Sequence, residues 1–175
     1  MQTNPIISTL KNIINTKMYL YTIIVILSFL IIVPIIVQNV FIPSFKKQII
    51  SNILDESKRV ASHLSNSIDY KNLSTKEIDA IMTDELKEFQ INKIHYFQKD
   101  GYVIYSTIKD NIGTINTHSY FHNIVAKGEL YYKIQRKGGK SFEQEKITTD
   151  IIEIYIPIMK KNKFDDAFEL YYDIS

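Results

Sequence analysis

The sequence predicts an α+β protein: an N-terminal transmembrane helix continuing into a long helix, then a five-stranded, mostly antiparallel sheet with helices on one face. Three observations predict it. Met18 to Phe45 carries no charged residue. Apolar residues then recur at helical spacing as far as Phe89. From His95 onward the pattern changes to short apolar runs bounded by turn residues, which is strand spacing.

The membrane helix rests on length. Leu20 to Val37 is almost wholly Ile, Leu, Val, Phe and Tyr, interrupted by Thr22, Ser28 and Pro34. About 20 such residues span a ~30 Å hydrocarbon core. Backbone groups in lipid must bond one another, so the segment must be helical. Pro34 lacks an N–H and predicts a kink. Tyr19 and Tyr21 mark one interface. A cleaved leader would have a shorter apolar run, about 7–15 residues, with a small-residue cleavage site. Here the first alanine is Ala61. Met18 to Val40 is therefore expected to span the bilayer and to be retained. Lys11 and Lys17 precede the span, and Lys46, Lys47, Lys58 and Arg59 follow it. That count favours a cytoplasmic C-terminal side, but the rule is weak for long translocated domains, so charge leaves both orientations open.

Charge is uneven along the 175 residues. The first 54 hold Lys11, Lys17, Lys46 and Lys47 and no acid. The rest carry 17 basic and 19 acidic groups. The overall +2 thus comes from lysines beside the span and is not a basic face for nucleic acid. There is no cysteine, which excludes disulfides, thiolate metal sites and a cysteine nucleophile.

The soluble part begins with a helix whose apolar positions are Ile49, Ile50, Ile53, Leu54, Val60, Ala61, Leu64 and Ile68. Ser74 and Glu77 form a capping-box pattern ahead of Ile78, Ile81, Met82, Leu86 and Phe89, a second amphipathic helix. His95 to Lys99 and Tyr102 to Thr107 read as a hairpin about Asp100-Gly101. Ser119 to Lys127 reads as a short helix stopped by Gly128. Strands are expected over Glu129 to Gln135, Ile147 to Met159 and Ala167 to Ile174. Gly138-Gly139 and the Lys160 to Asp165 stretch are the expected turns.

Three segments carry a family resemblance: "FQKDGYVIYST", "FHNIVAKGELYYKI" and "DIIEIYIPIMKKNKFDDAFELYYDIS". Together they resemble the extracytoplasmic PAS-like sensors called Cache or PDC domains, over roughly His95 to Ile174. The closing hairpin, with Pro157-Ile158, a basic turn and Ala167-Phe168-Glu169, resembles the single-Cache sensors of bacterial signalling proteins most closely. Asp166 stands where such sequences have glycine. The resemblance implies a cytoplasmic tail over 1–17, a membrane helix over 18–42 and an extracytoplasmic sensor domain over 43–175. It implies the inner, cytoplasmic membrane of a bacterium. Relatives continue into a histidine kinase, diguanylate cyclase or chemoreceptor output. Whether the chain is a fragment, a truncated gene or a stand-alone sensor is left open.

The chemical constellations are sparse. His118 and His122 lie four apart, as two zinc ligands on a helix would, but local spacing fixes no third ligand beyond nearby Glu129. Polar surface is the better reading. Glu153 and Glu169 fall on neighbouring strands, and a solvated or hydrogen-bonded strand face is expected of them. No Ser lies in a nucleophile-elbow pattern and no Gly-rich loop cradles phosphate. The chain therefore reads as non-enzymatic, with no catalytic residue, metal or cofactor.

In the resembling family the ligand lies between the sheet and the helical insert. Carried onto this sequence, that implies a small-molecule site at Tyr105, Tyr120, His122, Lys127, Tyr131 and Tyr155. Ordinary sheet packing is an equal reading for the tyrosines, and for Lys127 a helix-end position favoured by the dipole is the better one. There is no Trp and only Arg59 and Arg136, so neither an Arg-x-Trp-Tyr amino-acid motif nor a bidentate dicarboxylate clamp is supported. The expected function is a ligand-sensing module for transmembrane signalling, dimerising through the first long helix. The alternatives are a membrane-tethered interaction domain and, as a minor reading, a metal-dependent surface hydrolase. Strand alternation sends Ile152, Ile154, Ile156 and Ile158 towards the helices, and Glu153, Tyr155 and Pro157 towards the insert. Tyr155 is expected to border a cavity there, so that Tyr155→Ala or Tyr131→Ala impairs ligand response more than folding.

Overall fold

The computed structural model describes residues 5–68, 75–139 and 148–175, with side chains from Asn15 onward. Two compact units divide the chain, Met1–Ser51 and Asn52–Ser175.

The first unit is helical. Helix α1 covers Pro5–Ile36 and contains Pro34. A π-helical turn follows at Val37–Phe41, where the N–H of Ile42 reaches Val37 O. One extra residue in that turn is the usual adjustment where proline removes a backbone donor. Helix α2 then begins at Ile42 and runs to Ser67. Among the described residues, one helical run, Asn15–Ser67, is long and apolar enough to cross a membrane, with an 18-residue window of mean hydropathy 3.0 and none of it buried. Three polar side chains of its apolar part bond back within the helix. Thr22 donates to Met18 O, Ser28 to Ile24 O and Asn39 to Ile35 O. Back-bonding of this kind lets hydroxyl and amide groups sit in an apolar setting without losing hydrogen bonds.

The second unit is an α+β domain. Its elements are the C-terminal part of α2, α3 (Thr75–Glu88), β1 (Ile91–Gln98), β2 (Val103–Ser106), α4 (Ser119–Asn123), β3 (Tyr131–Gln135), β4 (Ile151–Lys160) and β5 (Lys163–Asp173). The five strands form one sheet in the order β2-β1-β5-β4-β3, every neighbour antiparallel. Ser74 of the expected capping box, and Ile147 at the expected start of β4, lie outside the described residues.

Two turns set the sheet. In the β1–β2 hairpin, Gly101 has φ +86° and Asp100 Oδ1 accepts the Tyr102 N–H. A Cβ on Gly101 would stand 2.7 Å from Asn116 O, so glycine is required on both counts. The β4–β5 turn is tighter than the expected Lys160 to Asp165 stretch. It consists of Lys161 and Asn162, both at positive φ (50° and 60°), and β5 starts at Lys163. A two-residue left-handed turn matches strand twist and keeps the ladder paired to its end. β1 also starts earlier than expected, at Ile91 instead of His95. Lys93 masked that start: its stem is buried and its ammonium lies 3.9 Å from the centre of the Tyr171 ring.

Register divides the side chains between two faces. Ile94, Leu170 and Ile154 lie opposite one another, as do Tyr96, Phe168 and Ile156. This face meets the helices. Tyr172 reaches Ser57 of α2, and Tyr105 reaches Asp79 of α3. Val60, Ala61 and Leu64 of α2 and Met82 of α3 are buried. The other face, with Phe97, Tyr155 and Ala167, packs on Phe121 and Val125 of the insert. The expected single helix Ser119 to Lys127 is broken at Ile124 into α4 and a 3-10 turn over Val125–Lys127, closed by Gly128 at φ +89°. The sheet faces are thus assigned as alternation predicted.

Candidate functional site

The insert face of the sheet is aromatic at one end and carboxylic at its centre. Tyr120 of α4 stacks on Tyr131 of β3, ring centres 4.5 Å apart and planes at 12°. His118 stacks on Tyr120 at 5.1 Å. The Tyr120 and Tyr155 hydroxyls are 3.1 Å apart. Tyr155 also packs near Phe97 and Tyr131. Burial is the main cause that pushes the Tyr120 hydroxyl up to about 12, with the Glu169 and Glu153 carboxylates adding to it. Burial and the Glu169 charge hold Tyr155 well above the ordinary phenol value.

Of the six residues expected at a site, the structure brings Tyr120, Tyr131 and Tyr155 into one cluster. His122 is exposed, its Nε2 3.2 Å from Asn116 O and its ring edge-on to Phe121. Lys127 is exposed at the end of the 3-10 turn. Tyr105 is separated from the rest. It pairs with Tyr96 and turns towards α3, where burial and the Asp79 charge raise its pKa. The cause is a bulge between Tyr96 and Phe97. Val103 and Tyr105 are two apart and would normally share a face, but the extra residue Ile104 puts them on opposite ones.

Tyr155 is 1% exposed and packed among rings. A cavity of about 240 Å³ lies beside α2, bordered by Ile53, Glu56, Glu88 and Tyr172.

The central group is the carboxylate pair that the sequence places on neighbouring strands. Glu153 and Glu169 are 2% and 0% exposed, so their strand face is buried and not solvated. Glu169 accepts from His95 Nδ1 at 2.9 Å and from the Tyr171 hydroxyl. Asn111 Nδ2 stands 3.5 Å from His95 Nε2; with that amide donating, the imidazole proton lies on Nδ1 and goes to Glu169. Gln135 donates to Glu153 Oε2, while Glu153 Oε1 is buried without a partner. Burial first, and the Glu169 charge second, push the Glu153 carboxyl up to about 7. The available signal was that "IIEIYI" and "AFELYY" each place a carboxylate inside a run too apolar to have a wet face. The two candidate zinc histidines serve separate ends, one stacked and one bonded to backbone. Among the described residues no three His, Cys, Asp or Glu side chains gather as a metal set.

No protein-family model and no curated protein matches the sequence. Solved structures do match its fold. The E. coli DcuS sensor domain aligns with 71% of this chain and 90% of its own, at 15% identity and a TM-score of 0.51. The V. cholerae histidine kinase DctB sensor domain aligns with 76% of this chain at 16% identity and a TM-score of 0.52. An extracellular ligand binding receptor from Desulfohalobium retbaense aligns with 72% at 13% identity and a TM-score of 0.52. The match spans 53% of the DctB chain and 23% of the Desulfohalobium chain. With the antiparallel order β2-β1-β5-β4-β3, the α2–α3 layer on one face and the insert on the other, the chain has the fold of the extracytoplasmic PAS-like sensor domains of the Cache or PDC type.

Proposed function

We propose that this chain is the extracytoplasmic ligand-sensing module of a membrane-bound signal transduction receptor. The observation that carries the reading is a sensor-type fold whose first helix belongs to the same helical run, Asn15–Ser67, as an unburied apolar window. Residues 1–17 lie in the cytoplasm, 18–42 cross the inner membrane and 43–175 face outward. The chain's role is recognition, without catalysis, and any output belongs to other segments. The stimulus acts at the insert face, with Tyr120, Tyr131 and Tyr155 as its aromatic wall and His122 and Lys127 at its rim; Tyr105, turned towards α3, lies outside it. A ligand-induced shift passes to the membrane through α2. Pairing of two copies along α2 is supported by Phe45 and Ile49, which are exposed, and by Ile50, Ile53 and Leu54, which are only half-buried.

A second reading, a tethered interaction domain, draws on the edge strand β3, where Tyr132 and Ile134 are 43% and 37% exposed. Thermal melting of the full chain in lipid nanodiscs against small organic acids, amines, amino acids and sugars separates the two. A ligand at a hundredfold excess over Kd stabilises by about 2.7 kcal/mol, a rise of roughly 10 °C for a domain of this size. The sensing reading expects such a rise from at least one compound class, and its reduction in Tyr120→Phe or Tyr131→Phe. A flat response across the library favours the interaction domain.

A further inference from the structure

We propose that the cavity beside α2 is a second binding site, on the face of the sheet away from the insert, and that it takes a small organic ammonium compound. The inference goes beyond the sensing reading, which places its stimulus at the insert.

The cavity of about 240 Å³ is bordered by Ile53 and Glu56 of α2, Glu88 and Phe89 at the α3–β1 corner, and Tyr172 and Asp173 at the end of β5. Sites for drug-sized molecules run from roughly 300 to 1,000 Å³, so the occupant here is small. Its sign follows from the lining. Glu56, Glu88 and Asp173 bring three carboxylates, and among the described residues no basic side chain borders the cavity. None of the three is held in an ion pair with a described residue. Glu88 is also the last residue of α3, where the helix carbonyls add partial negative charge. Gln90, at φ 53°, turns the chain out of that helix. Lys87, the basic residue of the last turn, lies outside the lining.

An independent observation is the hydroxyl of Tyr172. The residue is in phase with Leu170 and Phe168, so it projects to the helix face, where the cavity lies. It is 5% exposed, and its hydroxyl is buried without a hydrogen-bond partner. Ser57 stands near it but gives its own proton to Ile53 O at 2.6 Å. Burial pushes the Tyr172 phenol up to about 12, so it stays a neutral hydroxyl. A buried hydroxyl without a partner is costly, and an ammonium N–H donating to its oxygen removes that cost. A metal ion fits less well: among the described residues no three acidic or histidine side chains gather to hold one. Carboxylates spread around a cavity suit a charged chain, whose carbon atoms meet Ile53 and Phe89. Such an occupant ties α2 to the α3–β1 corner and to the end of β5.

The test is calorimetric titration of diaminobutane into the full chain in zwitterionic nanodiscs, at constant ionic strength, with butanediol as the uncharged control. Diaminobutane should bind saturably and butanediol should not. Glu56→Gln and Glu88→Gln, at half-buried and exposed positions, should each weaken binding about tenfold, the loss of one charge-assisted hydrogen bond. Tyr172→Phe should weaken it as well, and Tyr120→Phe should leave it unchanged. No saturable binding, equal binding of butanediol, or unchanged affinity in both glutamate variants overturns the proposal. Binding that Tyr120→Phe abolishes and the glutamate variants spare also overturns it, by placing the ammonium at the insert. Because the two sites answer to different substitutions, either idea can fail alone.

Discussion

Tyr155→Ala is expected to destabilise the domain by about 3–5 kcal/mol, the range for emptying a buried aromatic site. The ring is 1% exposed and lies among Phe97, Tyr120 and Tyr131, so its removal leaves a void between β1, β3, β4 and the insert. Tyr155→Phe keeps the ring and loses the hydroxyl's contact with Tyr120, so it should cost about 0.5–1.5 kcal/mol. Urea unfolding followed by circular dichroism checks both. This reverses the order expected from sequence, where Tyr155→Ala was to affect ligand response more than folding. Tyr155→Phe is consequently the substitution that probes recognition. If Tyr155→Ala costs less than Tyr155→Phe, the aromatic cluster is not packed as described.

The second large effect is on the opposite face. Ile154 is fully buried in the interior strand β4, opposite Leu170 of β5, beneath the helices. Ile154→Ala should cost about 2–5 kcal/mol. Its unfolding midpoint should fall with little change in denaturant slope, because the surface exposed on unfolding is nearly the same. Ile154→Val, which removes one methylene, should cost about 0.5–1.5 kcal/mol. A loss below about 1 kcal/mol for Ile154→Ala would place this residue outside the core.

The faces were legible because β4 alternates so cleanly. Ile152, Ile154 and Ile156 are in phase, and Tyr155 is out of phase with them, so one assignment fixed both sides. The α2 stripe was legible for a similar reason: Val60, Ala61 and Leu64 repeat at helical spacing and are all buried. What escaped notice depended on contacts between distant segments. The Tyr96–Phe97 bulge changes the phase of β2 and moves Tyr105 away from the other tyrosines, and no local pattern announces it. Lys161 and Asn162 make a turn without glycine, so the "MKKNKFDD" stretch read as a longer loop. For Glu153 and Glu169 the sequence left a solvated and a hydrogen-bonded strand face both open, because single strands do not reveal which face is covered; the structure shows the hydrogen-bonded one. Both carboxylates are buried and each accepts a side-chain hydrogen bond.

The proposed topology puts the sensor fold outside the cytoplasm, on a membrane helix that the lysine count alone does not orient. The direct measurement is a pair of reporter fusions at Ser175 in a bacterial host. Alkaline phosphatase, which folds only after export, should be active there, and a reporter that works only in the cytoplasm should be silent. An active cytoplasmic reporter with inactive phosphatase would put residues 43–175 on the inner side and contradict the extracytoplasmic sensing role.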